Sequence, residues 1–121
     1  MKVIIDLIED IRESVANAES FELRAGLLKT DPNDSSRLVY AGEAPLNTYS
    51  VDTESRTLRF EIDGSDKRIT IGELIPSLLI LAMGTMIYEI RLDINMQYRD
   101  MEIVGFGKNE EQEAYLLFVS V

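Results

Sequence analysis

Residues 69–94, ITIGELIPSLLILAMGTMIYEIRLDI, are the most apolar stretch of the chain and place a helical pattern between two strand patterns. Thr70 and Glu73 have the spacing of a capping box, in which each side chain bonds the other residue's backbone amide. We therefore expect a helix to begin there. Pro76 lies too deep in that helix to be neutral, so it either kinks the helix or begins a new one. This stretch is the expected centre of the core.

The residues after Pro76 are apolar on nearly every side, which predicts a helix that is buried all round. They are Leu78, Leu79, Ile80, Leu81, Ala82, Met83 and Met86. Gly84 is a suitable helix end, and the alternation from Tyr88 to Ile94 predicts a half-buried strand. Polar residues interrupt the apolar run after about fifteen residues, whereas a membrane-spanning helix needs roughly 20. A buried core helix is predicted.

The first segment, residues 2–18, carries apolar residues at three- and four-residue spacings, with acidic residues opposite. This pattern predicts an amphipathic helix whose apolar stripe covers one face of a sheet. A membrane-surface helix needs a basic polar face, so membrane binding is not expected. Because acidic residues interrupt the apolar residues at once, the segment also differs from a secretory signal, and a cytoplasmic location is expected.

Alternating segments predict about seven to eight strands. They are residues 21–29, 37–41, 46–51, 57–62, 68–71, 86–95, 101–106 and 114–121, with turns at 30–36, 42–45, 52–56, 63–64 and 97–100 and a loop at 107–113. The connections are too short for parallel crossovers, and no internal repeat is recognised. The predicted fold class is α+β: an N-terminal amphipathic helix and one buried central helix, packed on a largely antiparallel meandering sheet. Residues 1–121 are expected to form a single domain.

Composition excludes several classes of function. The chain has 121 residues, 22 acidic against 12 basic residues, and a formal net charge of -10. This charge repels a phosphate backbone, so direct nucleic-acid binding is not expected. The chain has neither cysteine nor histidine, and it therefore lacks the thiolate nucleophile, the imidazole base and the usual zinc ligands.

The remaining polar motifs have plain structural explanations. Glu43, Glu73, Glu89 and Asp93 fit a turn, a helix cap and cross-strand charge pairs better than acid–base catalysis. The turn that contains Asp31 lacks the glycine and the glutamate of a calcium loop, and residues 105–108 lack the length of a phosphate loop. We therefore predict no catalytic residue, no cofactor and no metal site.

Three sets of residues are candidate binding sites. The last strand, residues 114–121, is apolar on both faces, which indicates a central strand in a covered sheet or, alternatively, a partner surface. The candidate partner surface comprises Tyr115, Leu117, Val119 and Phe118. The candidate lining of a small apolar pocket comprises Phe60, Met86 and Tyr88. The candidate anion-binding row comprises Arg24, Arg59 and Arg91, although nearby outward acids favour a neutralised charge ladder.

These observations give one leading hypothesis and two alternatives. The leading hypothesis is a non-enzymatic module that binds a protein partner, or itself as a homodimer, through a sheet surface or the final strand. The first alternative is a protein with a pocket for a small apolar ligand. The second is an acidic decoy or immunity-type inhibitor of a basic partner.

Overall fold

The computed structural model describes residues 1–14, 18–84, 87–95 and 97–121, which form two α-helices, one short 3-10 helix and eight strands. The helices are α1 (Ile4–Ser14), the 3-10 helix (Ala18–Ser20) and α2 (Ile71–Ala82). The strands are β1 (Glu22–Asp31), β2 (Asp34–Pro45), β3 (Thr48–Asp52), β4 (Thr57–Ile62), β5 (Glu89–Ile94), β6 (Tyr98–Glu102), β7 (Gly105–Asn109) and β8 (Ala114–Ser120). The α+β class is confirmed.

The strands form two mixed sheets instead of the single meandering sheet expected. The first sheet has the order β2-β1-β8-β7 and the second the order β3-β4-β5-β6. In each sheet the central pair, β1 with β8 or β4 with β5, is parallel and the outer pairs are antiparallel. The expectation that no connection allows a parallel crossover is wrong, because α2 and its flanking loops connect β4 to β5.

Several predicted boundaries also differ from the structure. The strand expected at residues 68–71 is absent, since Thr70 makes only an isolated bridge to Glu22 and α2 begins at Ile71. The turn expected at residues 42–45 lies inside β2, where Gly42 has a φ of 124° beside a register shift. The region 97–113 contains two strands, β6 and β7, in place of one. Part of the expected first helix, residues 15–17, lies outside the described residues.

One apolar core joins both sheets and both helices. The helices contribute Ile4, Leu7, Ile11, Ile71, Leu74 and Leu78. The two parallel central pairs contribute the inward residues of β1, β8, β4 and β5, including the fully buried Leu23, Leu117, Phe60 and Leu92. Removal of this apolar surface from water is the main stabilising term for such a fold.

The chain consists of two equivalent halves. The first contains α1 and β1–β4, and the second contains α2 and β5–β8. Each sheet holds one antiparallel hairpin from each half, joined through the central parallel pair. If β1–β4 are exchanged with β5–β8, the strand order of the first sheet becomes that of the second. The topology therefore has an internal two-fold relationship.

The sequences of the two halves match at the positions that this topology makes equivalent. VIIDLI at residues 3–8 corresponds to TIGELI at 70–75, and FELRAGL at 21–27 corresponds to YEIRLDI at 88–94, both at a separation of 67 residues. The buried residues of α1 and α2 obey the same separation. The separation falls to 57 residues for β3 and β4 against β7 and β8, because the β1–β2 hairpin is longer than the β5–β6 hairpin. This change of spacing hides the repeat, so the expectation of no repeat is wrong.

Reciprocal hydrogen bonds link the halves. The amide of Ile4 donates to the carbonyl of Tyr88 at 3.0 Å, and the equivalent amide of Ile71 donates to the carbonyl of Phe21 at 2.9 Å. The isolated bridges Val3 with Glu89 and Glu22 with Thr70 are exchanged in the same way. Such reciprocity, in which residue i meets j and the equivalent of j meets the equivalent of i, defines a two-fold contact. The two halves therefore form a pseudo-dimer within one chain.

Candidate functional site: the outer face of the helix pair

Helices α1 and α2 lie side by side in opposite directions. Ile4 and Ile5, at the start of α1, share a groove of about 230 Å³ with Leu81 and Ala82 at the end of α2. Further along, a second groove of about 190 Å³ lies between the other halves of the helices. It is lined by Ile8, Ile11, Arg12, Ile75, Leu78 and Leu79. The pair therefore presents a grooved outer face.

The predicted start of α2 is confirmed. Thr70 is the N-cap, and its hydroxyl accepts the amide of Glu73 at 3.3 Å. Asp6 makes the complementary bond at the start of α1, where its carboxylate accepts the amide of Val3 at 2.8 Å. Pro76 lies inside α2, which continues to Ala82. Both helices are therefore held by a side-chain hydrogen bond at their first turns.

The outer face of α2 is apolar and exposed. Leu79 is 49% exposed, Ile80 71% and Met83 86%. Beyond the helix end, Ile87 is 65% exposed, and on α1 Ile5 is 50% exposed. The expectation of a helix buried all round is wrong, because α2 meets the core only through the stripe of Ile71, Leu74 and Leu78. We call the set Ile5, Leu79, Ile80, Met83 and Ile87 the apolar face.

Helix α1 is an internal control for this face. Arg12 and Glu13 occupy the positions equivalent to Leu79 and Ile80, and all four side chains are exposed. The fold therefore accepts charged residues at these positions, as a solvent-facing helix surface normally has. The apolar side chains of α2 are not required by burial. Exposed apolar patches of this kind are characteristic of interaction sites.

The sequence contained a signal for this face that the helical pattern alone did not reveal. When residues 71–82 are read against 4–14, Leu79 and Ile80 fall on the polar side of the first helix. Without the alignment of the two halves, the uniformly apolar run of α2 is interpreted as a helix buried in the core.

The candidate partner surface on β8 is mostly inside the protein. Tyr115, Leu117 and Val119 have no exposed surface, because β8 is a central strand between β1 and β7. These three side chains cannot form a partner surface in this fold. The Tyr115 hydroxyl donates to the carboxylate of Asp10 at 2.5 Å, and burial together with this bond raises the pKa of Tyr115. The residue ties α1 to the sheet.

Phe118, the fourth member of that set, lies on the outer side of the first sheet. Its ring rests against Gly26 and Gly107 on the neighbouring strands, where an added Cβ would come within 2.5 Å and 2.6 Å of the ring. Tyr40 packs edge-on against it, with ring centroids 6.4 Å apart. Phe118 is half-buried by these contacts. Its ring therefore serves mainly to cover glycine backbone.

Two of the three candidate pocket residues, Phe60 and Tyr88, lie in different surroundings. Phe60 is fully buried and packs against Tyr49, with ring centroids 6.2 Å apart. Tyr88 is 8% exposed and lines the groove between the start of α1 and the end of α2. Met86 lies outside the described residues.

The three arginines do not form one row. Arg59 and Arg91 are direct partners on β4 and β5, whereas Arg24 belongs to the other sheet. All three are ion-paired: Arg24 with Glu22 and Glu43, Arg59 with Asp93 and Asp100, and Arg91 with Glu89. The geometry is that of neutralised charge ladders, the alternative that the sequence favoured.

The surface beside the apolar face carries three exposed glutamates. Glu9, Glu13 and Glu73 make no ion pair with any residue in the described part of the chain. Glu9 and Glu13 share the exposed stripe of α1 with Ile5 and Arg12. The outer surface of the helix pair thus combines an apolar end with an acidic end.

The described residues provide neither a cluster of metal ligands nor a membrane-spanning helix. No cluster of three or more Asp and Glu side chains that could hold a metal ion was found there. The carboxylate of Asp31 instead accepts the amide of Asn33 within its turn. Neither described helix has the length and apolar character needed to cross a bilayer.

The comparisons with known proteins add no assignment. No protein-family model matches the chain, and searches of curated proteins and of solved structures found no match.

Proposed function

We propose that this protein is a non-enzymatic binding module that docks a segment of another protein on the apolar face of the helix pair. The observation that carries the proposal is the contrast between equivalent helices. Positions that hold Arg12 and Glu13 on α1 hold Leu79 and Ile80 on α2, with comparable exposure. Two surface positions that the fold leaves free to be polar, and that are apolar in one half only, are best explained by a partner.

The grooves beside the face support a polypeptide as the partner. They lie between α1 and α2 and are lined mainly by aliphatic side chains. Exposed aliphatic residues at helical spacing beside a shallow groove are the usual features of helix-in-groove recognition. This surface replaces the final strand as the proposed site, because the inward side chains of that strand lie in the core.

The proposal is tested by giving α2 the residues of α1, in the double variant Leu79→Arg, Ile80→Glu. The pair adds one positive and one negative charge and leaves the net charge unchanged. In an extract of cells that express the tagged protein, the wild type should elute in a complex larger than the free chain. The variant should elute at the size of the free chain.

Urea unfolding provides the control for folding. The variant should unfold within roughly 0.5 kcal/mol of the wild type, because surface substitutions away from buried features have small effects. An unchanged complex with a stably folded variant would contradict the proposed function. A large loss of stability would show that the apolar face belongs to the core.

A further inference from the structure

We infer that the segment docked on this face is an amphipathic helix whose polar side carries lysine or arginine. This inference rests on the proposed function and adds the chemistry of the partner. It follows from the arrangement of charge around the apolar face, where Glu9, Glu13 and Glu73 have no ion pair within the described part of the chain.

Within the strands, six of the ten acidic residues have a basic partner. Glu22, Glu43 and Glu89 are each paired with an arginine at 3.1 Å or less. Glu9, Glu13 and Glu73, on the helix pair, have none in the described part of the chain. These three exposed glutamates are therefore available to a basic partner.

The layout of the face fits an amphipathic helix. Leu79, Ile80 and Met83 span about one turn of α2, and Ile5, Glu9 and Arg12 lie along about two turns of the neighbouring α1. A docked helix of roughly three turns could place apolar side chains on the first group and basic side chains against Glu9 and Glu13. Arg12 lines the intervening groove, where its guanidinium can donate to an acidic or backbone oxygen of the partner.

Electrostatics disfavours two other occupants. A second copy of the chain would bring another net charge of -10 and the same unpaired glutamates to the interface. An anionic membrane would repel the acidic stripe of α1, since membrane attraction depends on basic segments. A basic polypeptide has the complementary charge, which speeds encounter and selects the partner.

The test uses three synthetic peptides of equal length with one common leucine stripe at helical spacing. Their polar faces carry lysine, glutamine or glutamate, and binding to the full chain is measured by fluorescence anisotropy at low and high salt. We expect the lysine peptide to bind roughly three- to tenfold more tightly than the glutamine peptide, consistent with a few exposed charge pairs. Added salt should reduce that difference, and the glutamate peptide should bind weakest.

Two variants separate the apolar contribution from the charge. Glu9→Gln with Glu13→Gln should lower the affinity for the lysine peptide to about that for the glutamine peptide, without changing the latter. Leu79→Arg with Ile80→Glu should abolish binding of all three peptides, although the net charge is the same. Persistent binding of the lysine peptide to this second variant would show non-specific attraction and overturn the inference.

The remaining outcomes distinguish this inference from the proposed function. Equal affinities for the lysine and glutamine peptides would refute the basic partner and retain the docking face. If no peptide binds while the Leu79→Arg, Ile80→Glu variant still loses its complex in extracts, the helical basic partner is wrong and the proposed function stands. Association with vesicles of anionic lipid, or a concentration-dependent dimer in sedimentation velocity, would identify one of the disfavoured occupants instead.

Discussion

At the scale of single residues, Asn47 controls the connection between β4 and α2. Its side chain is 4% exposed and holds that connection at three points. The amide nitrogen donates to the carbonyls of Ser65 and Lys67 at 3.1 Å and 2.9 Å, and the amide oxygen accepts the backbone amide of Asp63 at 2.9 Å. The equivalent position in the second half is Val104, which is 47% exposed. These three hydrogen bonds therefore have no counterpart at Val104 in the second half.

Asn47→Ala should lower the free energy of unfolding by roughly 1–3 kcal/mol, because it leaves three backbone groups without their partner. Urea unfolding measures the change. Asn33→Ala, in the exposed turn between β1 and β2, is the matched control and should change stability by less than about 0.5 kcal/mol. Equal effects of the two substitutions would mean that water replaces the Asn47 bonds without loss.

The carboxylate of Glu43 makes the stability of the fold depend on pH. The Tyr40 hydroxyl donates to its carboxylate at 2.6 Å, and Arg24 lies 3.1 Å away. These bonds hold the pKa of Glu43 below its ordinary value of 4.5. Burial and the same carboxylate raise the pKa of Tyr40 to about 12. The charged form of Glu43 is therefore the one that stabilises the fold.

The stabilisation from Glu43 should be complete above about pH 4.5 and should be lost as the pH falls through the lower pKa of the folded state. The difference in the free energy of unfolding between the wild type and Glu43→Gln should therefore be largest near neutral pH. This difference should become smaller on acidification. Urea midpoints of both proteins from pH 7 to about pH 3 measure this. A gap that is constant, or that widens in acid, would refute the assignment.

At the scale of elements, comparison of the two helices separates the residues that the core needs from those that can vary. Both bury the same apolar stripe, and they differ on the outside and at Pro76, whose counterpart on α1 is Glu9. Proline inside a helix removes a hydrogen bond and crowds the preceding turn, at a cost of about 3 kcal/mol. Because proline also restricts the unfolded chain, it stabilises the folded state by about 0.4–1 kcal/mol, which is less than this cost.

Pro76→Ala should therefore stabilise the protein by roughly 2 kcal/mol in urea unfolding, because the helical term exceeds the unfolded-chain term. Pro32→Ala, in the turn between β1 and β2, is the control and should destabilise slightly. If Pro76→Ala destabilises the protein instead, the proline is part of the packing around α2 and not only a strained helical residue.

The elements also show what could be predicted from sequence. The capped start of α2, the amphipathic first helix and the alternating β4 and β5 are governed by local periodicity, so they were predicted correctly. The sheet partners were not, since the parallel pairing of β1 with β8 depends on contacts between the ends of the chain. The exposure of Leu79 and Ile80 also depends on which side of α2 meets the core. Local pattern does not fix that choice for an apolar run.

At the scale of the whole molecule, the internal two-fold predicts a tolerated change of chain order. The connection 63–70 between β4 and α2 is equivalent to the interval from the end of β8 to the start of α1. A permutant that begins at Ser65, joins Val121 to Met1 through about five Gly and Ser residues and ends at Gly64 should fold. Loop closure of this length changes stability only modestly.

Circular dichroism and urea unfolding of this permutant should show a cooperative transition within roughly 2 kcal/mol of the wild type. A second permutant, opened between Leu116 and Leu117 in the buried centre of β8, is the control and should not fold. If neither permutant folds, the two halves do not share equivalent connections, and the internal symmetry would not extend to the chain ends.

The docking function of the apolar face is tested most directly by site-specific photo-crosslinking in cells. A photoreactive phenylalanine analogue is placed at Ile80 in one strain and at its equivalent, Glu13, in another. We predict a covalent adduct with another polypeptide at Ile80, with a yield several times higher than at Glu13. Equal yields at the two positions, or no adduct at Ile80, would contradict the proposed docking surface, and an adduct of two copies of this chain would identify self-association.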